Sequence, residues 1–254
     1  MSESKTRKAR LTLAALGVLV VGALIGGGVT AATMLGGDGS NSGKEASSSP
    51  TTSKPSASSG GAQAAMTPDK ARKLVLETPT GLKEGLSTGF SKGPVGAIST
   101  AVYFWEEYAF LDDQKARQQL DAAVSPDATG YVDEQISEVR KLREGAGLPP
   151  SGGTPAGVTF NTTVNAVRVT SLDDTGKVVQ VWMNYDRYAT KADGSPDNDP
   201  LKDQVTDLIL KLQSGTWKIT NESQYWKQRT FPVSYRPDSH TSWEGGWQQV
   251  RHAD

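Results

Sequence analysis

Phe160-Asn161-Thr162-Thr163-Val164-Asn165-Ala166-Val167-Arg168-Val169 is the stretch that decides the fold. Phe160, Thr162, Val164 and Ala166 alternate with polar residues, and then Val167 and Val169 take the opposite parity. Period-2 alternation marks a half-buried strand, and a change of parity within it marks a bulge, here near Ala166. Asp173-Asp174-Thr175-Gly176 then turns the chain into a second strand, Val178 to Ala189, with Val179, Val181, Met183 and Tyr185 on one face and Trp182 and Tyr188 on the other. A Gly/Pro/Asp loop over 190–203 leads to a third strand, Val205 to Leu212, with Leu208, Leu210 and Leu212 inward. Ser214-Gly215 joins it to a fourth, Thr216 to Asn221, carrying Trp217 and Ile219.

Upstream of this meander the period is helical. Val95, Ile98, Val102, Trp105 and Ala109 share one face of a helix over 94–110, with Pro94 suited to its first turn. Asp112 or Asp113 can cap a second helix that buries Ala116, Leu120 and Val124. Ser125-Pro126 reads as the cap and first turn of a third, with Val132, Ile136 and Val139 inward, ending at Gly145. The Pro149-Pro150-Ser151-Gly152-Gly153 loop separates helices from strands, and Leu74-Val75-Leu76 reads as a short edge strand. The expected fold is α+β: three helices packed on a curved four-stranded antiparallel sheet, one domain large enough for its own core.

What precedes the domain sets its compartment. An apolar run from Leu11 to Leu35 follows Lys5, Arg7, Lys8 and Arg10. As a helix it is ~37 Å long, enough to span a hydrocarbon core of ~30 Å, and the cations before it keep the N-terminus in the cytoplasm. Gly36 to about Ala65 holds no apolar residue larger than Ala and reads as a disordered tether with a reach of about 30 Å. The division is therefore 1–10 cytoplasmic basic N-terminus, 11–35 transmembrane anchor, 36–66 linker, 67–224 extracytoplasmic domain and 225–254 aromatic-rich tail. The rival for the run is a cleaved signal peptide, with small residues at Val29-Thr30-Ala31 and Thr30-Ala31-Ala32. The run continues past those sites to Met34 and Leu35, which favours retention.

Composition closes several functions. Cysteine is absent, which removes disulfides, thiol catalysis and lipoprotein acylation. Beyond the anchor 23 Lys and Arg face 27 Asp and Glu, so there is no basic field for nucleic acid. The two histidines, His240 and His252, lie in the tail, and the inward candidates for chemistry are Tyr103, Tyr108, Tyr185 and Asp186, with nothing in the spacing to pair them. Asp112-Asp113 reads as a helix cap plus a solvated carboxylate. Gly152-Gly153 and Gly245-Gly246 lack the strand-to-helix setting of a phosphate loop, and no metal spacing occurs. No catalytic, cofactor-binding or metal-binding residue is therefore assigned. A deep pocket with a buried carboxylate near Tyr103 or Tyr185 would speak for a binding or enzymatic domain. Filling by Trp105, Trp182 and Trp217 would speak for docking.

Tyr225, Trp226, Phe231, Tyr235, Trp243 and Trp247 crowd the last 30 residues, although aromatics are 7% of the chain. Two readings stand: the tail folds back and its rings complete the core, or it is a docking strip. Tyr225-Trp226, next to the last strand, is expected inside. Phe231, Tyr235, Trp243 and Trp247 are the candidate interface residues, and truncation after about residue 236 is expected to leave the domain folded.

The order of elements, with Gly93-Pro94-Val95-Gly96-Ala97 opening the long helix and Ser214-Gly215-Thr216-Trp217-Lys218-Ile219 across the last hairpin, resembles the nuclear-transport-factor-2-like cone. The anchor, the Ser/Pro tether, the Gly89-Phe90 turn and the terminal Gly-x-Trp-Lys strand further resemble single-pass actinobacterial proteins that accompany conjugative elements, over roughly residues 74–224. That resemblance, shared by bitopic subunits of type IV secretion systems and by Mce-associated membrane proteins, implies a non-enzymatic protein-docking role in an envelope complex. Homo-oligomers are compatible with it. The cone also hosts isomerases and dehydratases, which gives the alternative of a small-molecule-binding or enzymatic domain. N-terminal sequencing of membrane-extracted protein is expected to recover residues upstream of Ala31; a mature start at Ala32 or Thr33, with the protein free of the membrane, contradicts a retained anchor.

Overall fold

The structure, a computed structural model, describes residues 73–191, 193–196 and 200–253. The anchor read at 11–35 and the linker at 36–66 lie outside the described residues, among which no helix is long and apolar enough to cross a membrane. A short parallel strand β1 (Leu74–Val75) and a hairpin of β2 (Gly81–Lys83) and β3 (Leu86–Thr88) precede three helices, α1 (Pro94–Glu107), α2 (Asp113–Ala123) and α3 (Tyr131–Gly145). Four long or paired strands follow: β4 (Thr159–Ser171), β5 (Val178–Thr190), β6 (Leu201–Gln213) and β7 (Thr216–Ile219). The C-terminal segment adds α4 (Ser223–Trp226), α5 (His240–Glu244) and β8 (Gln248–Arg251).

The antiparallel meander β4-β5-β6-β7 is present, and its bulge falls between Val164 and Ala166, where the parity changes. The sheet is nevertheless six-stranded and mixed, in the order β1-β8-β4-β5-β6-β7, which corrects the four-stranded antiparallel expectation. The reason lies at the free edge of β4. Next to the bulge, β8 pairs antiparallel with Ala166 and Val167, and β1 pairs parallel with β8, so edge groups that would face solvent are bonded by the tail.

Two helix boundaries also differ from the expectation. Helix α1 ends at Glu107, because Tyr108 leaves it with ψ 127°, and the next residues turn Tyr108, Phe110 and Leu111 all inward. Helix α3 starts at Tyr131, not at Ser125-Pro126: the Ser125 amide donates to the Ile219 carbonyl at 2.8 Å, which ties that residue to β7 instead. Gly130, with φ +80°, then redirects the chain into α3. Asp112 does cap α2, its Oδ1 accepting from the Lys115 amide at 2.9 Å. Gly96 near the start of α1 has a steric cause, since a Cβ there would lie 1.9 Å from the Ser91 carbonyl oxygen.

Helices and the odd-numbered face of β5 enclose the main core, which includes Val102, Trp105, Leu120, Ile136, Val181, Met183, Tyr185, Leu210 and Trp217. Helix α1 packs on β4, and Trp105 meets Tyr185 edge to face at 5.2 Å. Trp217 is buried and its Nε1 donates to the Ser91 carbonyl at 3.1 Å. Two smaller cores lie on the opposite face: Ala166, Trp182, Tyr235 and Trp247 in one, Leu172, Val178 and Ile209 under Tyr225 and Trp226 in the other. The C-terminal segment is thus a strap over the second face. Truncation after Arg236 removes β8 and Trp247 together, so the expectation that it leaves the domain folded is replaced. The truncated chain is expected to lose roughly 10 °C or more of its melting temperature by circular dichroism. A melting temperature within about 2 °C of the full chain contradicts this packing.

Candidate functional site

The strap is held by polar groups that strands β5 and β6 project from the face away from the helices. Asp207 of β6 is fully buried and accepts two bonds from Arg229, Nε to Oδ2 at 2.8 Å and Nη2 to Oδ1 at 2.7 Å. Gln180 of β5 donates to the same carboxylate at 2.7 Å and accepts from the Thr230 amide at 3.0 Å. Burial pushes the Asp207 carboxyl up, and the Arg229 and Gln180 bonds oppose that rise without cancelling it. The Arg229 guanidinium lies over Trp226, 3.9 Å from its ring centroid. Trp182 Nε1 donates to the Thr230 carbonyl at 2.8 Å, Trp247 Nε1 to the Val233 carbonyl at 2.8 Å, and Arg168 Nε to the Gly245 carbonyl at 2.7 Å.

These bonds sort the candidate interface residues. Trp247 is 1% exposed and Tyr235 is buried beside it, so both rings belong to this chain's own core. Trp243 is half-buried, edge-on to Tyr235 at 6.3 Å. Phe231 is 70% exposed, tilted over Trp182 at 5.6 Å, with Val233 exposed two residues on. Of the four rings only Phe231 is mostly exposed to solvent.

The tail also returns to α1. His252 Nε2 lies 2.8 Å from Glu106 Oε2, the Glu106 Oε1 accepts from the Val164 amide at 2.9 Å, and Tyr103 stands edge-on to the His252 ring at 5.0 Å. Burial pushes the Glu106 carboxyl up. A carboxylate, an imidazole and a phenol are thus gathered although nothing in their spacing pairs them, with both Glu106 oxygens engaged. His240 is exposed and lies 3.2 Å from Glu244. Asp186 faces away from the helices and bonds Tyr188 and the Asp203 amide. Asp113 is not solvated as expected: it is buried and accepts from the Gly152 amide, Ser151 and Arg140. No group of three potential metal ligands occurs among the described residues.

Of the two places where a buried carboxylate would speak for a binding or enzymatic domain, the one near Tyr103 is occupied by Glu106, bonded to His252 and bordering an open groove, whereas among the described residues no carboxylate bonds Tyr185. The helix-facing side holds Arg187, fully buried, whose Nε donates to Thr162 Oγ1 at 2.9 Å across the β4–β5 pair. Its carbon Cζ lies 3.8 Å from the Phe110 ring centroid, 5.4 Å from that of Tyr185 and 5.5 Å from that of Trp105. Neither η nitrogen has a hydrogen-bond partner among the described residues, and the same is true of the buried Tyr108 hydroxyl and Trp105 Nε1. Burial brings the guanidinium down to about 10. No motif marks Arg187; the one signal for it is that it continues the odd-numbered inward series Val179, Val181, Met183, Tyr185. Trp105 and Trp217 fill the helix-facing core while Trp182 lies on the other face, so the three rings do not share one pocket.

Comparison with family models, with curated proteins and with solved structures found no match. The strap's polar clamp makes a direct energetic prediction. Arg229→Ala is expected to cost ~3 to 5 kcal/mol in urea unfolding, because it leaves Asp207 buried without its counter-charge. Asp207→Asn in that background is expected to recover at least about half of the loss, since no buried charge then remains. A single-variant cost under about 1 kcal/mol contradicts a buried clamp.

Proposed function

We propose that the chain acts by protein contact, as a single-pass, N-in membrane protein whose α+β domain lies outside the cytoplasm and docks onto an envelope complex of the conjugative-transfer or secretion type. The observation that carries this reading is Phe231. It is a large ring left 70% exposed on a strap whose neighbours are fixed on both sides, by Trp182 Nε1 on the Thr230 carbonyl before it and by Trp247 Nε1 on the Val233 carbonyl after it. A rigidly held exposed aromatic gives a partner contact area at little entropic cost. Val233, also exposed, extends the apolar ridge. The tether sequence at 36–66 supports the same reading, since it would let the domain search a shell near the membrane.

A photo-crosslinking side chain at position 231, in intact cells that make the protein, is expected to give a discrete adduct whose added mass belongs to an envelope protein. The same group at Leu82, 74% exposed on the β2–β3 hairpin, serves as the control and is expected to give none. Phe231→Ala is expected to change stability by less than about 0.5 kcal/mol while reducing complex assembly. No adduct from 231, or equal yields from 231 and 82, overturns the docking ridge.

A further inference from the structure

Arg187 is on the helix-facing side of the sheet, opposite the strap, and its chemistry stands apart from the docking ridge. An arginine fork carries five N–H donors. Here Nε is used by Thr162, and among the described residues the four N–H bonds of the two η nitrogens have no acceptor. Among the described residues no carboxylate bonds either η nitrogen. The faces of Phe110, Trp105 and Tyr185 offset part of the charge, but a ring face takes none of the fork's in-plane hydrogen bonds. The Tyr108 hydroxyl and Trp105 Nε1–H add two more buried donors without acceptors in the same neighbourhood. Every unpartnered group in this set can donate, so what complements it is an acceptor-rich anion.

A groove lies beside this set, at the end of the sheet where α1 stops. Its volume is about 350 Å³, and Tyr108, Phe110, Val158, Phe160 and Thr162 line it, with Lys115 at its rim. Glu106 and Glu107 also border it. Both are engaged, Glu106 by Val164 and His252, and Glu107 by the Ser87 amide and hydroxyl at 2.6 Å each. The Phe110 ring separates the groove from Arg187: it stacks on the guanidinium at 3.8 Å and meets Phe160 edge to face at 5.1 Å. Phe110 follows the end of α1 in an irregular segment rather than sitting within a helix or strand.

We infer that Arg187 is the anchor of a binding site for a small organic carboxylate, the Phe110 ring moving off the guanidinium to admit it, with the carboxylate on the guanidinium fork and the Tyr108 hydroxyl, and an apolar body between Phe110, Val158 and Phe160. A planar fork matches a carboxylate bidentately, and the aromatic lining excludes water from the pair. Phosphate esters fit less well, since only one arginine and one rim lysine are present to meet a double negative charge.

The test uses the purified full chain in detergent, titrated with acetate, benzoate and phenylacetate, and with benzamide and phenylacetamide as uncharged counterparts. Calorimetry reports binding, with the summed tryptophan fluorescence as a second signal. Benzoate or phenylacetate is expected to saturate at least about tenfold more tightly than its amide, and Arg187→Met to lose that preference. Tyr108→Phe is the variant that keeps the fold, because the hydroxyl has no partner to lose; it is expected to weaken the carboxylate roughly threefold or more with no fall in melting temperature. If no carboxylate of the series saturates below about 10 mM, the proposal fails and the donors around Arg187 are satisfied by ordered water. Unchanged affinity in Tyr108→Phe together with either unchanged affinity or loss of fold in Arg187→Met overturns it equally. None of these outcomes bears on the docking ridge, which lies on the other face.

Discussion

Strand β5 is buried on both faces from Val178 to Tyr185, and the remaining architecture answers that constraint. A sheet in an antiparallel meander can leave one face to water, and its sequence then alternates. Here the even-numbered positions are Val178, Gln180, Trp182 and Asn184, two large apolar groups and two amides, none of which can be left half-covered without cost. Helices α1 to α3 cover the odd-numbered face. The chain has to supply a second cover, and does so with its last 30 residues. The polar members of that face are what fix the cover in place: Gln180 joins Asp207, Arg229 and Thr230 into one bonded set, while Trp182 holds the next carbonyl.

Much of the helix-facing half could be read from residue order. The parity change at Ala166, the turn at Asp173–Gly176, the inward series of β5 and the Asp112 cap all follow from local patterns, and local patterns are what a single sequence carries. What was not legible depends on long-range pairing. Gln248-Gln249-Val250-Arg251 has no alternation of its own, yet it becomes β8 because the bulged edge of β4 offers unpaired backbone groups. Ser125-Pro126 has the chemistry of a helix start and is diverted by one bond to Ile219, distant in sequence. The aromatic excess in the tail was visible, but counting rings does not say which point inward. Trp247 is buried and Phe231 exposed because of where the strap crosses the sheet, and sequence spacing holds no record of that crossing.

The two faces of the sheet carry different chemistry. The strap face carries an exposed ring on a fixed support. The helix face encloses a guanidinium whose donors outnumber their acceptors among the described residues. Both features sit on β5: Trp182 supports Phe231 from one side, and Arg187, five residues further and of opposite parity, points to the other.

All of this rests on the strap being part of the folding unit and not an arm laid on it. Native-state hydrogen exchange on the full chain measures that directly. The account predicts that the amides of Gln248–Arg251 open with a free energy within about 1 kcal/mol of those of Val181 and Met183, and that both sets merge with global unfolding as urea is added. Exchange of the strap amides through openings several kcal/mol cheaper, with β5 still protected, would contradict it.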